Sequence, residues 1–550
     1  MRVNISLVPQ HIEEIKSAPT PFCISQLQEC LSSSSFTKTI ANNRDENRAY
    51  WHCLLLLSFL AKEDSKYNDS YHRLLQMDNK ANGIKLKIYD LQELKKFSEK
   101  RIEQKLIGFN YEELIRLHYK RKLLLPNLIG YKYERLLLQA NKYNDTLELS
   151  QVVELLELII DWKYRIATKS QFLKVIRKCL SVKSLDSIFW KERNIYNSKK
   201  QAGKKVKVAV WDTGVDAYSF HSNSISNGLY YDHNCNTSLE PLLPLKEYSY
   251  KELLLYKGWK DLIIGKENRT VTSLLHQMAF FTPEQIRFFR QFLNFFSLYT
   301  HGTMVASVIT INNPSVEIFP IRMTFDAKSH FPTFYTMERA KQEVVAYQQI
   351  FKTIQQNNIR LVNISWSYPK DLFDLSLRNN GISNKKSKRK GEAIFELLKK
   401  QMIEGIQQNP NTLFIVSAGN IDQLLGQKDR IPNSLSLPNL LPVGAVNSRG
   451  KQTSFTCNGN KVPIFANGDF IPCIAPHNIK MTSSGTSYAA PNVTNLAARI
   501  LGKNPNLSAL EVRQIILQYA TETEEDIKIV HPKNTMQYLE NEQNNWCSRA

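Results

Sequence analysis

The stretch Ser484-Gly485-Thr486-Ser487-Tyr488-Ala489-Ala490-Pro491 puts a serine hydroxyl on a turn of small residues, with an apolar helix starting directly after it. The first turn of a helix leaves backbone N–H groups unpaired and carries a partial positive charge. A serine held there can attack a carbonyl while those N–H groups steady the oxyanion that forms. Alone, Ser487 would be an ordinary helix cap. Its meaning depends on what lies upstream.

Three further residues stand upstream in order. Lys205 to Trp211 reads as a strand and runs into Asp212-Thr213-Gly214. His301 opens His-Gly-Thr-Met-Val-Ala-Ser, read as a helix start. Asn420 closes Ser417-Ala418-Gly419-Asn420 after the strand-like Thr412 to Val416. Arg360 to Trp366 is another strand, and Glu392 to Gln408 a helix between the two. Strands alternating with helices predict βαβ units and a parallel sheet. Active groups in such sheets gather beyond the carboxyl ends of strands, where Asp212 and Asn420 both fall.

These residue types suit one chemistry. A serine hydroxyl is a poor nucleophile until a base takes its proton, and imidazole does this near neutral pH. A buried carboxylate fixes the imidazole tautomer and stabilises its protonated form. An asparagine amide and a backbone N–H can hold the tetrahedral oxyanion.

Val208-Ala209-Val210-Trp211-Asp212-Thr213-Gly214-Val215-Asp216 resembles the aspartate motif of the subtilisin-like serine proteases, the subtilases. His301-Gly302-Thr303-Met304-Val305-Ala306 resembles their histidine motif, and Gly485-Thr486-Ser487-Tyr488-Ala489-Ala490-Pro491 their serine motif. Val362-Asn363-Ile364-Ser365-Trp366-Ser367 looks like the strand lining one cleft wall, and Val416-Ser417-Ala418-Gly419-Asn420 like the other wall with the oxyanion asparagine. Val443-Gly444-Ala445-Val446 and Ser454-Phe455 also fit the pattern. The order Asp, His, Ser is that of subtilisin. Asp-Thr-Gly and His-Gly-Thr are weak signals singly; Gly-Thr-Ser-x-Ala-Ala-Pro is stronger, and all in order are stronger still.

The resemblance covers about residues 183–525 and implies an α/β fold: a subtilisin-like parallel sheet flanked by helices. It implies a serine endopeptidase with Asp212, His301 and Ser487 as catalytic residues and Asn420 in the oxyanion hole. Asn363, Ser365, Trp366, Ser367, Ser417, Ala418 and Gly419 would bind an extended protein or peptide substrate. The chemistry needs no cofactor and no metal; calcium often stabilises this family, and no ligand set is assigned to it here. Two other outcomes share the fold: transpeptidation or macrocyclisation, in which an amine resolves the acyl-enzyme, and a scaffold protein that has lost the chemistry.

The chain departs from the family pattern in several places. Asp212 and His301 are 89 residues apart, more than a compact subtilase needs, so residues 232–298 read as a helical insertion. Within it Thr282-Pro283-Glu284-Gln285 supplies an N-cap, a proline at the first helical position and a capping-box glutamine. Ile286, Phe289, Leu293 and Phe296 then mark one face. Met304 stands where relatives often have a second histidine, and Tyr488 where they often have methionine. Ser367 and Tyr368 replace the glycines that usually leave the cleft wall open, predicting a narrower subsite. After them comes a basic loop, about 369–390, holding Lys385-Lys386-Ser387-Lys388-Arg389-Lys390 and expected to favour acidic peptide segments.

Length and composition frame the rest. A chain of 550 residues holds several domains or two large ones. Residues 1–182 read as a mainly helical domain, with Leu91, Leu94, Ile102 and Leu106 at helical spacing and Val152 to Ile160 apolar nearly all round. They are too long and too helical for the short pro-region common in the family. Residues 183–530 form the peptidase domain, and 531–550 a loose polar tail. Ser508 to Glu511 is a capping box opening a late helix. The net charge is +21, and Lys163 to Lys207 carries 14 basic against 2 acidic residues, a net of +12. Such runs are usually solvated faces; docking of acidic partners, nucleic acid or anionic membrane is the sharper reading. No nucleic-acid motif accompanies them. Eight scattered cysteines without a Cys-x-x-Cys pair predict reduced thiols, not a disulfide framework. No signal-peptide pattern and no transmembrane segment is read, which predicts a cytosolic chain or export by another route. Oligomeric state is not legible.

Overall fold

The computed structural model describes residues 2–4, 44–61, 69–70, 73, 103, 106, 109, 111–181, 188–195, 203–220, 225–245, 248–323, 325, 335–420, 429–523 and 526–547. Leu91, Leu94 and Ile102 lie outside these. The chain divides into two compact units: Met1–Leu185 with Asp261–Phe289, and Asp186–Lys260 with Arg290–Ala550. The insertion expected at 232–298 is therefore not one body. Its middle segment belongs with the N-terminal helices, and its two ends belong with the sheet.

The second unit is built on a ten-stranded sheet. From one edge the strands run Thr521–Glu522, Lys528–Ile529, Ile464–Asn467, Leu440–Val446, Leu413–Ser417, Leu361–Ile364, Val206–Asp212, Val316–Arg322, Leu229–Tyr231 and Thr237–Ser238. Neighbours pair parallel except at the two edges. The central strands are apolar on both faces because helices cover both. Val206, Val208 and Val210 face a layer containing Val305 and Ile309 of the helix Pro283–Thr310 and Ala489 to Leu501 of the helix Thr486–Lys503. Ala209 and Trp211, one residue out of phase, face Tyr347, Ile350 and Phe351 of Met337–Gln356 and Phe395, Leu398 and Met402 of Asn384–Gln407. Each such side chain taken fully out of water contributes roughly 1.5–3 kcal/mol. The strand order reverses beside Val206–Asp212: the chain goes out to Val316–Arg322, then returns to Leu361–Ile364 on the other side. That reversal opens a crevice at the carboxyl ends.

In the first unit Leu55, Leu56 and Leu57 of Arg44–Ala61 pack with Tyr133 and Leu136 of Pro126–Asn141 and with Val152, Leu155 and Leu156 of Leu149–Ile160. Several charges of the basic stretch are used internally here and are not left on a solvated face. Arg165 is bonded to Glu157 and Asp161 at 2.6 Å each, and Lys169 Nζ donates to the carbonyls of Lys122 and Leu124. Glu267 of the inserted segment receives Lys122 Nζ at 2.7 Å and Arg177 Nε at 3.1 Å. Asn127 Nδ2 donates to the carbonyls of Met278 and Phe281, the exit of the helix Arg269–Met278.

Three expectations are corrected. His301 does not open a helix; it lies deep inside Pro283–Thr310. The capping box closes between Thr282 and Gln285 as expected, and no breaker separates it from His301, so one helix runs through both. The basic loop is two helices, Asp371–Asn379 and the start of Asn384–Gln407. Lys and Arg are good helix formers, and the buried Ser387 hydroxyl binds Asp374 at 2.7 Å, which docks the run as a helix. The tail is not loose: Pro532–Cys547 is helical, Thr535 and Leu539 are buried, and Tyr538 stacks on Tyr519. Among the described residues no helix is long and apolar enough to cross a membrane.

Candidate active site

Asp212 ends its strand. The two-residue strand period points it to the same face as Val206, Val208 and Val210, toward the helices carrying His301 and Ser487. It is 1% exposed. Its Oδ1 accepts the Thr213 N–H at 2.7 Å and pairs with His301 Nδ1 at 2.6 Å. With Nδ1 held by a carboxylate, the ring presents Nε2 as its free basic nitrogen. The histidine helix is stitched to the turn after Asp212. Gly302 N–H donates to Thr213 Oγ1 at 3.1 Å, and Asp216 N–H to Thr303 Oγ1 at 3.0 Å. Gly302 permits this approach, since a Cβ there would stand 2.3 Å from the Gly214 carbonyl oxygen.

Ser487 occupies the first turn of Thr486–Lys503. Pro491 has no N–H, so the Ser487 carbonyl loses its ordinary partner four residues on. Ser365 Oγ replaces it, donating to Ser487 O at 3.1 Å, while Ser487 Oγ donates to Ser365 O at 3.1 Å. The serine hydroxyl thus rests on the residue that follows the strand Leu361–Ile364, and it is not hydrogen-bonded to His301.

Asn420 lies beyond the strand Leu413–Ser417. Its Oδ1 accepts from Thr486 N at 2.8 Å and Thr486 Oγ1 at 2.9 Å. The carbonyl end of the amide is thereby committed, and Nδ2 is the donor left toward the open side. Thr486 Oγ1 in turn accepts from Gly419 N–H at 3.0 Å. Gly485, at φ 154°, is required here: a Cβ would stand 3.3 Å from Asn420 Nδ2.

The expected cleft residues divide into two groups. Asn363 is wholly buried; its Nδ2 donates to Ser365 Oγ at 3.0 Å, and its Oδ1 accepts from Thr494 Oγ1 at 2.9 Å. Its side chain is turned into the interior, because helices cover both faces of the strand. Ala418 is fully buried as well, with its N–H on the Val443 carbonyl. Ser417 is buried and its carbonyl accepts from Asn433; the Gly419 carbonyl accepts from Cys457 N–H. Ser365 belongs to the serine's own support. Trp366 and Ser367 retain open surface. Trp366 Nε1 donates to the Trp211 carbonyl at 3.0 Å, and Ser367 Oγ accepts from Arg430 at 3.3 Å. Behind Trp366, Tyr368 packs at 5.3 Å between ring centroids. There the hydroxyls of Tyr335 and Tyr347 donate to the buried Glu343, whose carboxyl is pushed above its ordinary pKa by burial.

Thr486, Thr494 and Glu343 were missed by sequence reading. Thr486 lies inside the quoted motif, where its small size masked its bonding; the other two carry no local signal. Met304 is buried. Among the described residues no group of three or more His, Cys, Asp or Glu side chains is placed to hold a metal ion.

The sequence model of the subtilase family matches residues 203–543. This chain belongs to the subtilase family. It is 32% identical to Subtilisin DY of Bacillus licheniformis over 109 residues, which is 20% of this chain and 40% of that protein. It is 36% identical to Mycosin-4 of Mycobacterium tuberculosis over 88 residues, 14% of this chain and 19% of that one. Each alignment thus spans less than half of the relative. Among solved structures, a cold adapted subtilisin-like serine proteinase aligns with 62% of this chain and 94% of its own, at 18% identity and a TM-score of 0.37. A lanthipeptide protease aligns with 61% and 89%, at 15% identity and a TM-score of 0.39.

Proposed function

We propose that this protein is a serine endopeptidase acting through an acyl-enzyme. The 2.6 Å contact between the buried Asp212 and His301 Nδ1 is the observation that carries the reading. In it, Ser487 Oγ leaves the Ser365 carbonyl, turns to His301 Nε2, and attacks the substrate carbonyl as its proton passes to the imidazole. Asp212 stabilises the imidazolium, a role for which its burial and single committed oxygen suit it. The oxyanion is met by Asn420 Nδ2 and the Ser487 N–H. His301 then hands the proton to the leaving amine, and water resolves the acyl-enzyme by the same base. General-base action contributes typically 10²–10⁴ in rate, and each oxyanion donor a similar factor.

Labelling with a fluorophosphonate probe tests this directly. Wild-type protein should label and Ser487→Ala should not, and peptide-library digests should yield hydrolysed ends by mass. Folded wild type that neither labels at Ser487 nor cleaves any peptide would sink the reading.

A further inference from the structure

The first insertion helix, Tyr250–Ile263, carries Lys260 in its last turn. Lys260 Nζ donates to Ser483 Oγ at 2.8 Å. Ser483 ends the hairpin strand Ile479–Ser483 and immediately precedes Ser484-Gly485-Thr486-Ser487. Lys260 is partly exposed, and within the described residues no carboxylate pairs with it. Ser483 and the Cys473 thiol beside it are neutral, the thiol because burial pushes it up to about 12 despite the lysine. A cation that has given up part of its hydration for a neutral hydroxyl retains an unmet demand for an anion.

The direction in which it lies follows from the attack geometry. The acyl side of a bound peptide would run beside Ser365 and Ser367, and the oxyanion would face Asn420. The leaving amine must face His301, which protonates it. Tyr488 packs on that ring, with centroids 5.9 Å apart, and its phenol lies near Ser483. Tyr256 of the lysine's own helix stacks on Phe296 of the histidine helix at 5.8 Å. Lys260 thus meets the serine turn beside Tyr488, the residue that packs on His301. A peptide whose leaving amine faces His301 would carry its first few residues past this turn, at ~3.3 Å of extended chain per residue.

We infer that Lys260 is a specificity-determining residue that binds a carboxylate on the leaving fragment of the substrate. The inference rests on the endopeptidase reading for which side of the cleft is which. The carboxylate is either an Asp or Glu side chain within about three residues of the cut, or the free carboxyl terminus of a short leaving peptide. The bond forms before attack and persists in the transition state, so it raises kcat/KM. A charge-assisted contact at a partly exposed site corresponds to about a tenfold preference.

The test uses the full chain. Quenched peptides share one acyl half and differ after the cut: all-Gln with an amidated end, one Glu at each of three successive positions, or Gln with a free carboxylate. Wild type should prefer one acidic arm about tenfold over the all-Gln peptide, and which arm wins tells side chain from terminus. Lys260→Met should bring that ratio to about one, and Lys260→Arg should retain most of it. In a second arm, fluorescent leaving fragments are titrated into Ser487→Ala by anisotropy. The acidic fragment should bind tighter than the neutral one, and adding Lys260→Met should erase the difference. No acidic preference in either arm, or a preference that survives Lys260→Met, overturns the assignment. Acid-selective, Lys260-dependent binding by protein whose Ser487 never labels would sink the hydrolase reading and leave the carboxylate site standing.

Discussion

Thr486 binds Asn420 twice, through its N–H at 2.8 Å and its hydroxyl at 2.9 Å, while the same hydroxyl accepts the Gly419 N–H. The residue before Ser487 thus orients the Asn420 amide, the proposed oxyanion donor, and ties it to Gly419. Thr486→Val keeps the backbone bond and loses both hydroxyl bonds. We expect kcat to fall about tenfold with little change in KM, since about 1 kcal/mol per bond is lost where it matters only once charge develops. Asn420→Ala should cost more, roughly 10²–10³ in kcat, the scale known for removal of such a donor in subtilisin. Steady-state kinetics on one peptide decide it; a Thr486→Val effect confined to KM would contradict the role.

Ser365→Ala leaves the Ser487 carbonyl without a donor, because Pro491 cannot supply one. A buried unsatisfied carbonyl costs about 1–3 kcal/mol. The variant should melt earlier by several degrees and label more slowly with a fluorophosphonate. Restoring an N–H with Pro491→Ala should recover part of the melting temperature of Ser365→Ala. No recovery would mean the two residues are not coupled.

Gly302→Ala forces a Cβ to 2.3 Å from the Gly214 carbonyl oxygen, a backbone atom that cannot step aside without moving the turn after Asp212. Overpacking of this sort costs about 1–3 kcal/mol. The helix must shift, so the Asp212–His301 contact lengthens and activity falls by tenfold or more. Wild-type labelling rates in Gly302→Ala would show that the close approach is dispensable.

In the first unit His118 is held near a pKa of about 4, lowered first by burial and then by Lys122. Between that value and its ordinary 6.5 the unfolded chain takes up a proton that the folded chain refuses. Its contribution is therefore complete above about pH 6.5 and is lost as pH falls toward 4. His118→Leu removes this dependence. Between pH 7 and pH 5 its melting temperature should rise relative to wild type by about 4–8 °C. A constant offset across that range would contradict the burial of a neutral imidazole.

The local parts of the site were legible in the sequence for a physical reason. Asp212, Asn420 and Ser487 each sit where a strand ends or a helix begins. Such junctions encode themselves within a few residues through apolar runs, glycines and small turn residues. The parallel sheet was legible through the alternation of such segments. The burial of the Asn363 side chain was not legible, because a strand motif does not say that helices cover both of its faces. The basic run reads as a loop from its charge, and the contact between Ser387 and Asp374 that docks it as a helix spans two helices.

What the sequence alone determined, then, is the set of candidate reacting groups and their order along the chain: Asp212, His301, Asn420 and Ser487, on a fold that brings strand ends together. Tertiary structure decided what holds and surrounds them. It made the His301 helix continuous with the insertion, bound Ser487 to Ser365, and brought Lys260 to the serine turn from 223 residues away along the chain to Ser483. Motifs are written in local backbone preference and can be read from neighbours. Contacts such as Lys260 with Ser483 come from helices packing across a sheet, and no short stretch of sequence carries them.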